Sequence, residues 1–598
     1  MVVNQGASRN EPQPQGFALL LLLQGGTQAV LAALNMQFSI TLISVFRLPT
    51  GNFAAVFGAL SLMQGGAPML GGYLADRVMN PRKVMLAGGA LATLGATVMC
   101  LGERTTLIVG MVMCAVGGAL IKPCLLVLLG SLYRQGDARR DSGFTWMYTV
   151  ALGAWALVAS LAAVLRAAAG WWVVSLGAAF GMLAVTVVAA VSQSSLPAEG
   201  YVAGAAGVPR ARLTSRDGLH VALTTLGFAA VVALVMTVLG VEGEHPASVS
   251  RAWGAAAVLV AAAVMIGMER ARRGSLAEAR GASGVVMWQR LTVLLALAPV
   301  LMAGSLAGAV LDTWEMLARL DHTELAIGQG TVALFVAVAG VVLALVWRRV
   351  DASERRPSAV MKIVAGLLVA MVGAGMRVTS NGNLWPVGVL LASNLLMDLS
   401  HLIMNPVGQA LVTKLAPARS MTMAMAAWMS MPLVASALAG LLLDAVLGTS
   451  APEPWKVAVI AAGLGLCGAL LVALRSTLKR WMHGAEEPPL LQGAGYLYRG
   501  DGAQGGEGGA GGAPARWDVA QGAAPSAAPM ENVLPEPAEV HAKQMLVGAA
   551  WGIGGVVVTG VSLLSAEGGG SYVVAYGAIV YGLVTFIRGL AGWSKEKP

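Results

Sequence analysis

Residues 117–154 read GGALIKPCLLVLLGSLYRQGDARRDSGFTWMYTVALGA: two apolar runs joined by a short charged turn from Arg134 to Asp141. Runs of this length and apolarity cross a bilayer as helices, because about 20 residues span the roughly 30 Å hydrocarbon core. One lysine, Lys122, stands inside the first run with Pro123 directly after it. An ammonium near the middle of a membrane helix costs a few kcal/mol unless it meets a cavity or a partner. Two readings are open. Lys122 either snorkels to a membrane surface or faces an interior cavity. The charged turn starts about twelve residues on, roughly 18 Å at helical rise, which favours the cavity.

The rest of the chain fits that reading. Of its 598 residues 57% are hydrophobic and 12% charged, with a mean hydropathy of +0.72. Soluble domains carry about 25% charged residues, so this is an all-α, polytopic membrane protein. The net charge of +9 comes from basic loops and does not imply nucleic acid. Cys100, Cys114, Cys124 and Cys467 all fall in apolar runs without paired spacing, so neither a disulfide framework nor a zinc site is expected. No metal triad, nucleophile with a base or phosphate-binding glycine loop is present, so neither an enzyme nor a bound cofactor is expected. Residues 1–16 are polar and include Arg9 and Glu11, so the apolar run after them reads as a first span rather than a cleaved signal.

Apolar runs lie near 17–45, 51–74, 83–102, 105–132, 142–166 and 170–192. Two more lie near 219–240 and 251–268. Six follow near 287–312, 326–347, 358–378, 384–412, 420–447 and 455–477, fourteen in all. One set of loops is rich in basic residues, among them Arg77, Arg82, Lys83, Arg139, Arg140, Arg348, Arg349, Lys479 and Arg480. The opposite set is sparse, with Arg47, Arg104, Arg166 and Lys456 among its few. The positive-inside rule therefore puts the amino terminus and residue 480 in the cytoplasm of a bacterial-type inner membrane. Residues 484–542, rich in Gly, Ala, Pro and Glu, read as a disordered cytoplasmic linker. Two further apolar runs within 543–592 read as a membrane hairpin that returns the carboxyl terminus to the cytoplasm. Gly548 and Gly552 have the spacing that lets helices approach closely, which suits an anchor, a packing accessory or a surface for another membrane protein.

Three stretches carry a resemblance. Lys122-Pro123-Cys124, Gly130-Ser131-Leu132-Tyr133, Arg139-Arg140-Asp141-Ser142-Gly143-Phe144 and Met147-Tyr148 follow one another at family spacing. Gly72-Tyr73-Leu74-Ala75-Asp76-Arg77, with Arg82-Lys83, looks like a G-x-x-x-D-R loop. Pro406-Val407-Gly408, Val412 to Pro417 and Trp428 complete the set. Together they resemble the proton-dependent oligopeptide transporter family of the major facilitator superfamily. The resemblance implies two six-helix bundles, 17–192 and 287–480, with an inserted helical pair at 215–270. It also implies a secondary transporter of peptides or another small solute that works by alternating access, and it makes Asp76, Arg77 and Arg82 gating residues.

The departures fall on ionisable positions. Where the family's first helix carries E-x-x-E-R, this chain has Gln24-Gly25-Gly26-Thr27-Gln28. Cys124 replaces an asparagine, His401 a glutamate that meets a peptide's amino terminus, and Asn405 a serine. Ser305 and Leu306 stand near the usual E-Q of the seventh span, with Asp312 and Glu315 further on. The resemblance thus assigns substrate contacts to Gln24, Gln28, Lys122, Tyr148, His401, Asn405 and Trp428. Proton coupling, where present, falls to His401, Asp312 or Glu315, since glutamine does not titrate and imidazole changes charge near neutral pH. The partners implied are a peptide or other small-molecule substrate, protons and the lipid bilayer. The stripped cavity leaves two rivals open: a proton-independent transporter, and a receptor or scaffold that does not transport.

Overall fold

The computed structural model describes residues 12–44, 64, 67–133, 136–196, 282–318, 323–352, 356–379, 386–417, 420–442, 454–486 and 585. The inserted pair expected at 215–270, the linker beyond Glu486 and, apart from Thr585, the hairpin at 543–592 lie outside them. One compact unit comprises Ala7–Trp385 and Val389–Tyr496. A second comprises Met1–Gly6, Pro386–Gly388 and Leu497–Pro598. The packing described below belongs to the first.

All regular structure among the described residues is helical. The α-helices are α1 (Phe17–Ser44), α2 (Pro81–Met99), α3 (Arg104–Ser131), α4 (Arg139–Ala169) and α5 (Trp171–Val191). Then come α6 (Ala282–Ala318), α7 (Thr323–Asp351), α8 (Ala359–Met376), α9 (Val387–Leu415), α10 (Met421–Leu442) and α11 (Pro454–Trp481). Ahead of α2 the chain is helical over 67–73 and widens into a π turn, Leu74–Val78. Among the described residues, eight helices are long and apolar enough to cross a membrane. The ends agree with the apolar runs to within a few residues, because they are set by local chemistry. Asn80 caps α2 by accepting the Lys83 N–H at 2.8 Å, with Pro81 in the first turn, where its missing N–H costs nothing.

α1 to α5 pack on one another, α2 against α3 and α5, and α1 against α3, α4 and α5. α6 packs on α8, α10 and α11, and α8 on α11. α4 against α7 and α3 against α10 join the earlier helices to the later ones. The buried set is dominated by Leu, Ala, Met and Val, as expected where van der Waals packing rather than the hydrophobic effect holds helices together.

Candidate functional site

Lys122 occupies one strip of α3. Four residues earlier, Gly118 meets Leu31 of α1, and eight later, Gly130 meets Thr413 of α9. The strip facing α2, through Gly110 and Gly117, lies on another side of the helix. Lys122 therefore projects between α1 and α9, into the interior, as the cavity reading requires. Its ammonium has no hydrogen-bond or ion-pair partner among the described residues.

On α1, Gln24, Gln28 and Leu31 share a face at the i, i+4, i+7 spacing, and Leu31 is the residue that touches Gly118. Gln24 is buried and its Oε1 has no partner, while Gln28 is half-buried. Thr27 spends its hydroxyl on the Leu23 carbonyl at 2.7 Å. On α9, Asn405 donates from Nδ2 to the Tyr148 hydroxyl of α4 at 3.3 Å. The phenol keeps its own O–H for a second partner. Trp428 of α10 is buried against Gly408, where any Cβ would lie 2.3 Å from the indole, and its Nε1 has no partner. Only glycine fits there, which explains the Pro-Val-Gly of α9.

His401 turns elsewhere. Its Cε1 lies 3.7 Å from where a Cβ of Gly308 would be, so it leans on α6. Its Nε2 is buried without a partner. Ser305, next to Gly304, is also buried with an unpartnered hydroxyl. The side chains of Asp312 and Glu315 lie outside the described residues.

Asp76 sits in the π turn and accepts backbone N–H groups at the start of α10, Thr422 at 3.2 Å and Met423 at 2.8 Å. A carboxylate suits the positive end of a helix, whose first N–H groups lack partners of their own. Gly72, one turn earlier, lets the backbones meet, since a Cβ there would lie 2.7 Å from the Met423 Cα. Asp76 thus holds a helix terminus. Arg82 donates to the Leu196 carbonyl at the end of the first helical group. The side chain of Arg77 lies outside the described residues.

Sequence reading missed a buried charge network. Asp141 of α4 accepts Lys362 of α8 at 2.6 Å and Lys414 of α9 at 2.7 Å. Asp351 at the end of α7 accepts Lys362 at 2.6 and 2.7 Å. All four are at most 9% exposed, and Lys362 also lies 4.6 Å from the Trp347 ring centre. They border a cavity of about 80 Å³ that Arg356 and Glu486 also line. Glu486 accepts the Ala359 N–H at 2.8 Å, which fastens the start of the expected linker to the first turn of α8. The signal was present as charges at the ends of four apolar runs, but nothing in sequence says which would meet.

Residues 82–198 match the POT family model. The chain is similar to the POT family over that segment. It is 24% identical over 468 residues to the peptide transporter YePEPT of Yersinia enterocolitica, covering 73% of this chain and 88% of that one. It is 26% identical over 178 residues to the dipeptide and tripeptide permease A of Pectobacterium carotovorum, 29% of this chain and 35% of that one. Among solved structures, a peptide transporter POT in complex with sulfate aligns over 78% of this chain and 96% of that one, with TM-score 0.55 and 21% identity. A POT family transporter in complex with 5-aminolevulinic acid aligns over 78% and 97%, with TM-score 0.56 and 16% identity. The family's fold thus extends well past the matched segment.

Proposed function

We propose that this protein is a multi-pass secondary transporter, not an enzyme, that moves di- and tripeptides or similar small solutes by alternating access. Two six-helix bundles, 17–192 and 287–480, would rock about the interior that Gln24, Gln28, Lys122, Tyr148, Asn405 and Trp428 border. The observation that carries this reading is Lys122, a cation inside an apolar helix with no partner among the described residues. Such a group stays charged at a tolerable cost only if a ligand or water solvates it. A peptide carboxylate meets that need, and the names of the relatives support a peptide cargo. Asp76 on the α10 terminus is a contact that one closed state makes and the other breaks. Arg77 and Arg82 belong to the same gate. His401, Asp312 and Glu315 are the proposed proton carriers.

In this reading both termini are cytoplasmic in a bacterial-type inner membrane, 215–270 is an inserted helical pair, and 484–542 links the bundles to a hairpin at 543–592 that is open to another membrane protein. The test is a counterflow screen of di- and tripeptides against organic anions, with the purified chain in liposomes. Exchange of a peptide supports the proposal. Binding without exchange makes the protein a receptor instead.

A further inference from the structure

The chain does not leave the molecule where α11 ends. Met482 and Ala485 are buried, and His483 and Gly484 both take the left-handed conformation, at φ +48° and +66°. A helix end commonly uses one such residue, usually glycine; a histidine there as well persists because its surroundings hold it. Arg290 of α6 donates to the Met482 and His483 carbonyls, each at 3.3 Å, and the His483 ring is hydrogen-bonded to Gln289. The turn aims Glu486 back at α8, where it accepts the N–H of Ala359, the first residue of that helix, at 2.8 Å.

Glu486 therefore ends beside the charge network. Lys362 is three residues into α8 from Ala359, about 4.5 Å at helical rise. Lys362, Lys414, Asp141 and Asp351 border the same cavity as Glu486. Of these charges only Asp141 belongs to the earlier half of the chain. While the halves meet, Asp141 and Asp351 neutralise the two lysines, and Glu486 is spent on a backbone N–H. A movement that parts α4 from α8 and α9 takes Asp141 away and leaves Lys362 and Lys414 with Asp351. Removing one partner of a buried pair is costly, because it strands the other charge. One further carboxylate of the later half already borders the cavity. An ammonium offers it a full charge where the helix terminus offers a partial one.

We propose that Glu486 is the exchange carboxylate of this gate: it caps α8 while the halves are closed at this end, and takes the place of Asp141 on Lys362 and Lys414 when they part. This rests on the alternating-access reading above and gives the segment after α11 a part in it. The two bonds oppose one another. The bond to ammonium favours the open form, and the bond to Ala359 favours the closed one.

The test follows opening itself, in the purified full-length protein in liposomes. Thr413, next to Lys414, is buried against Gly130 of α3 and donates to the Ala410 carbonyl of its own helix at 2.8 Å. Thr413→Cys therefore places a thiol that N-ethylmaleimide reaches only when α3 and α9 part, read by mass spectrometry of its peptide. In that background Glu486→Gln removes the charge the open form uses. It should slow alkylation by about fivefold or more, the order expected for a charged hydrogen bond. Ala359→Pro removes the donor of the closed-form bond at the first helical position, where proline is tolerated, and should leave the rate unchanged or raise it. A segment that only braced the closed form would make both variants faster. Glu486→Gln that fails to slow alkylation, or Ala359→Pro that slows it as well, overturns the exchange. Where Ala359→Pro does not fold, a zero-length carbodiimide crosslink decides. Glu486 joined to Lys362 or Lys414 supports the exchange, and no such link in protein that alkylates at position 413 overturns it. A Thr413→Cys chain that never reacts also overturns it, because the halves then do not part. Loss of counterflow with alkylation intact bears on the transporter reading alone.

Discussion

Asp141 in the first turn of α4 and Lys414 in the last turn of α9 meet at 2.7 Å, across 273 residues of chain. Each is at the helix end whose partial charge suits it, the carboxylate at the positive terminus and the ammonium at the negative one. Lys362 completes the contact by bridging Asp141 to Asp351. The four charges balance, so the network is tolerable while whole and costly when one member is lost.

Asp141→Asn leaves two buried lysines sharing one remaining carboxylate. It should lower stability by about 3–5 kcal/mol, the typical cost of breaking a buried pair. Lys414→Gln removes the most exposed member and should cost less. Thermal melts of both variants in detergent check the order, and equal losses would mean that the network does not act as a unit.

Asp76→Asn keeps the shape but exchanges a charged acceptor for a neutral one at the α10 terminus. Charge-assisted bonds are roughly twice as strong as neutral ones, so the closed state loses on the order of 1 kcal/mol, about fivefold in its population. Peptide uptake should fall much more than protein abundance. Near-normal uptake kinetics would mean that the Asp76 contact does not gate.

Gly408→Ala drives a methyl group to within about 2.3 Å of the Trp428 ring, too close for any carbon contact. Either α9 or the indole must shift, at about 1–3 kcal/mol for overpacking of this kind. The melting temperature should drop and the tryptophan fluorescence should change together. A silent substitution would show that α10 moves freely relative to α9.

His401→Gln should flatten the pH dependence of uptake, since an imidazole titrates and an amide does not. The protein should still fold, since the buried Nε2 of His401 has no partner to lose. A pH profile that survives the change assigns the proton to another group, with Asp312 and Glu315 next.

A cysteine placed within 501–512 should resist an impermeant thiol reagent in intact cells, because basic-loop asymmetry puts that segment in the cytoplasm. Labelling there would invert the proposed topology.

Sequence alone determined the class of this protein. Long apolar runs leave a chain little choice but helix, since every backbone N–H and C=O must be satisfied within the run itself in lipid. The helix ends near 81, 104, 139, 171, 359 and 454 were legible for the same local reason: caps, prolines and charges act within one turn. Lys122 was legible as an interior group because an ammonium twelve residues from water has nowhere else to go. The loss of carboxylates from the first helix was also plain by eye, at Gln24 and Gln28. Tertiary structure decided what lies across a gap. It joined Asp141 to Lys362 and Lys414, set Asp76 on the Met423 N–H, and leaned His401 on α6 beside Gly308. Periodicity places a residue on a face, but only the neighbouring helices decide whether that face meets lipid, protein or a water-filled space.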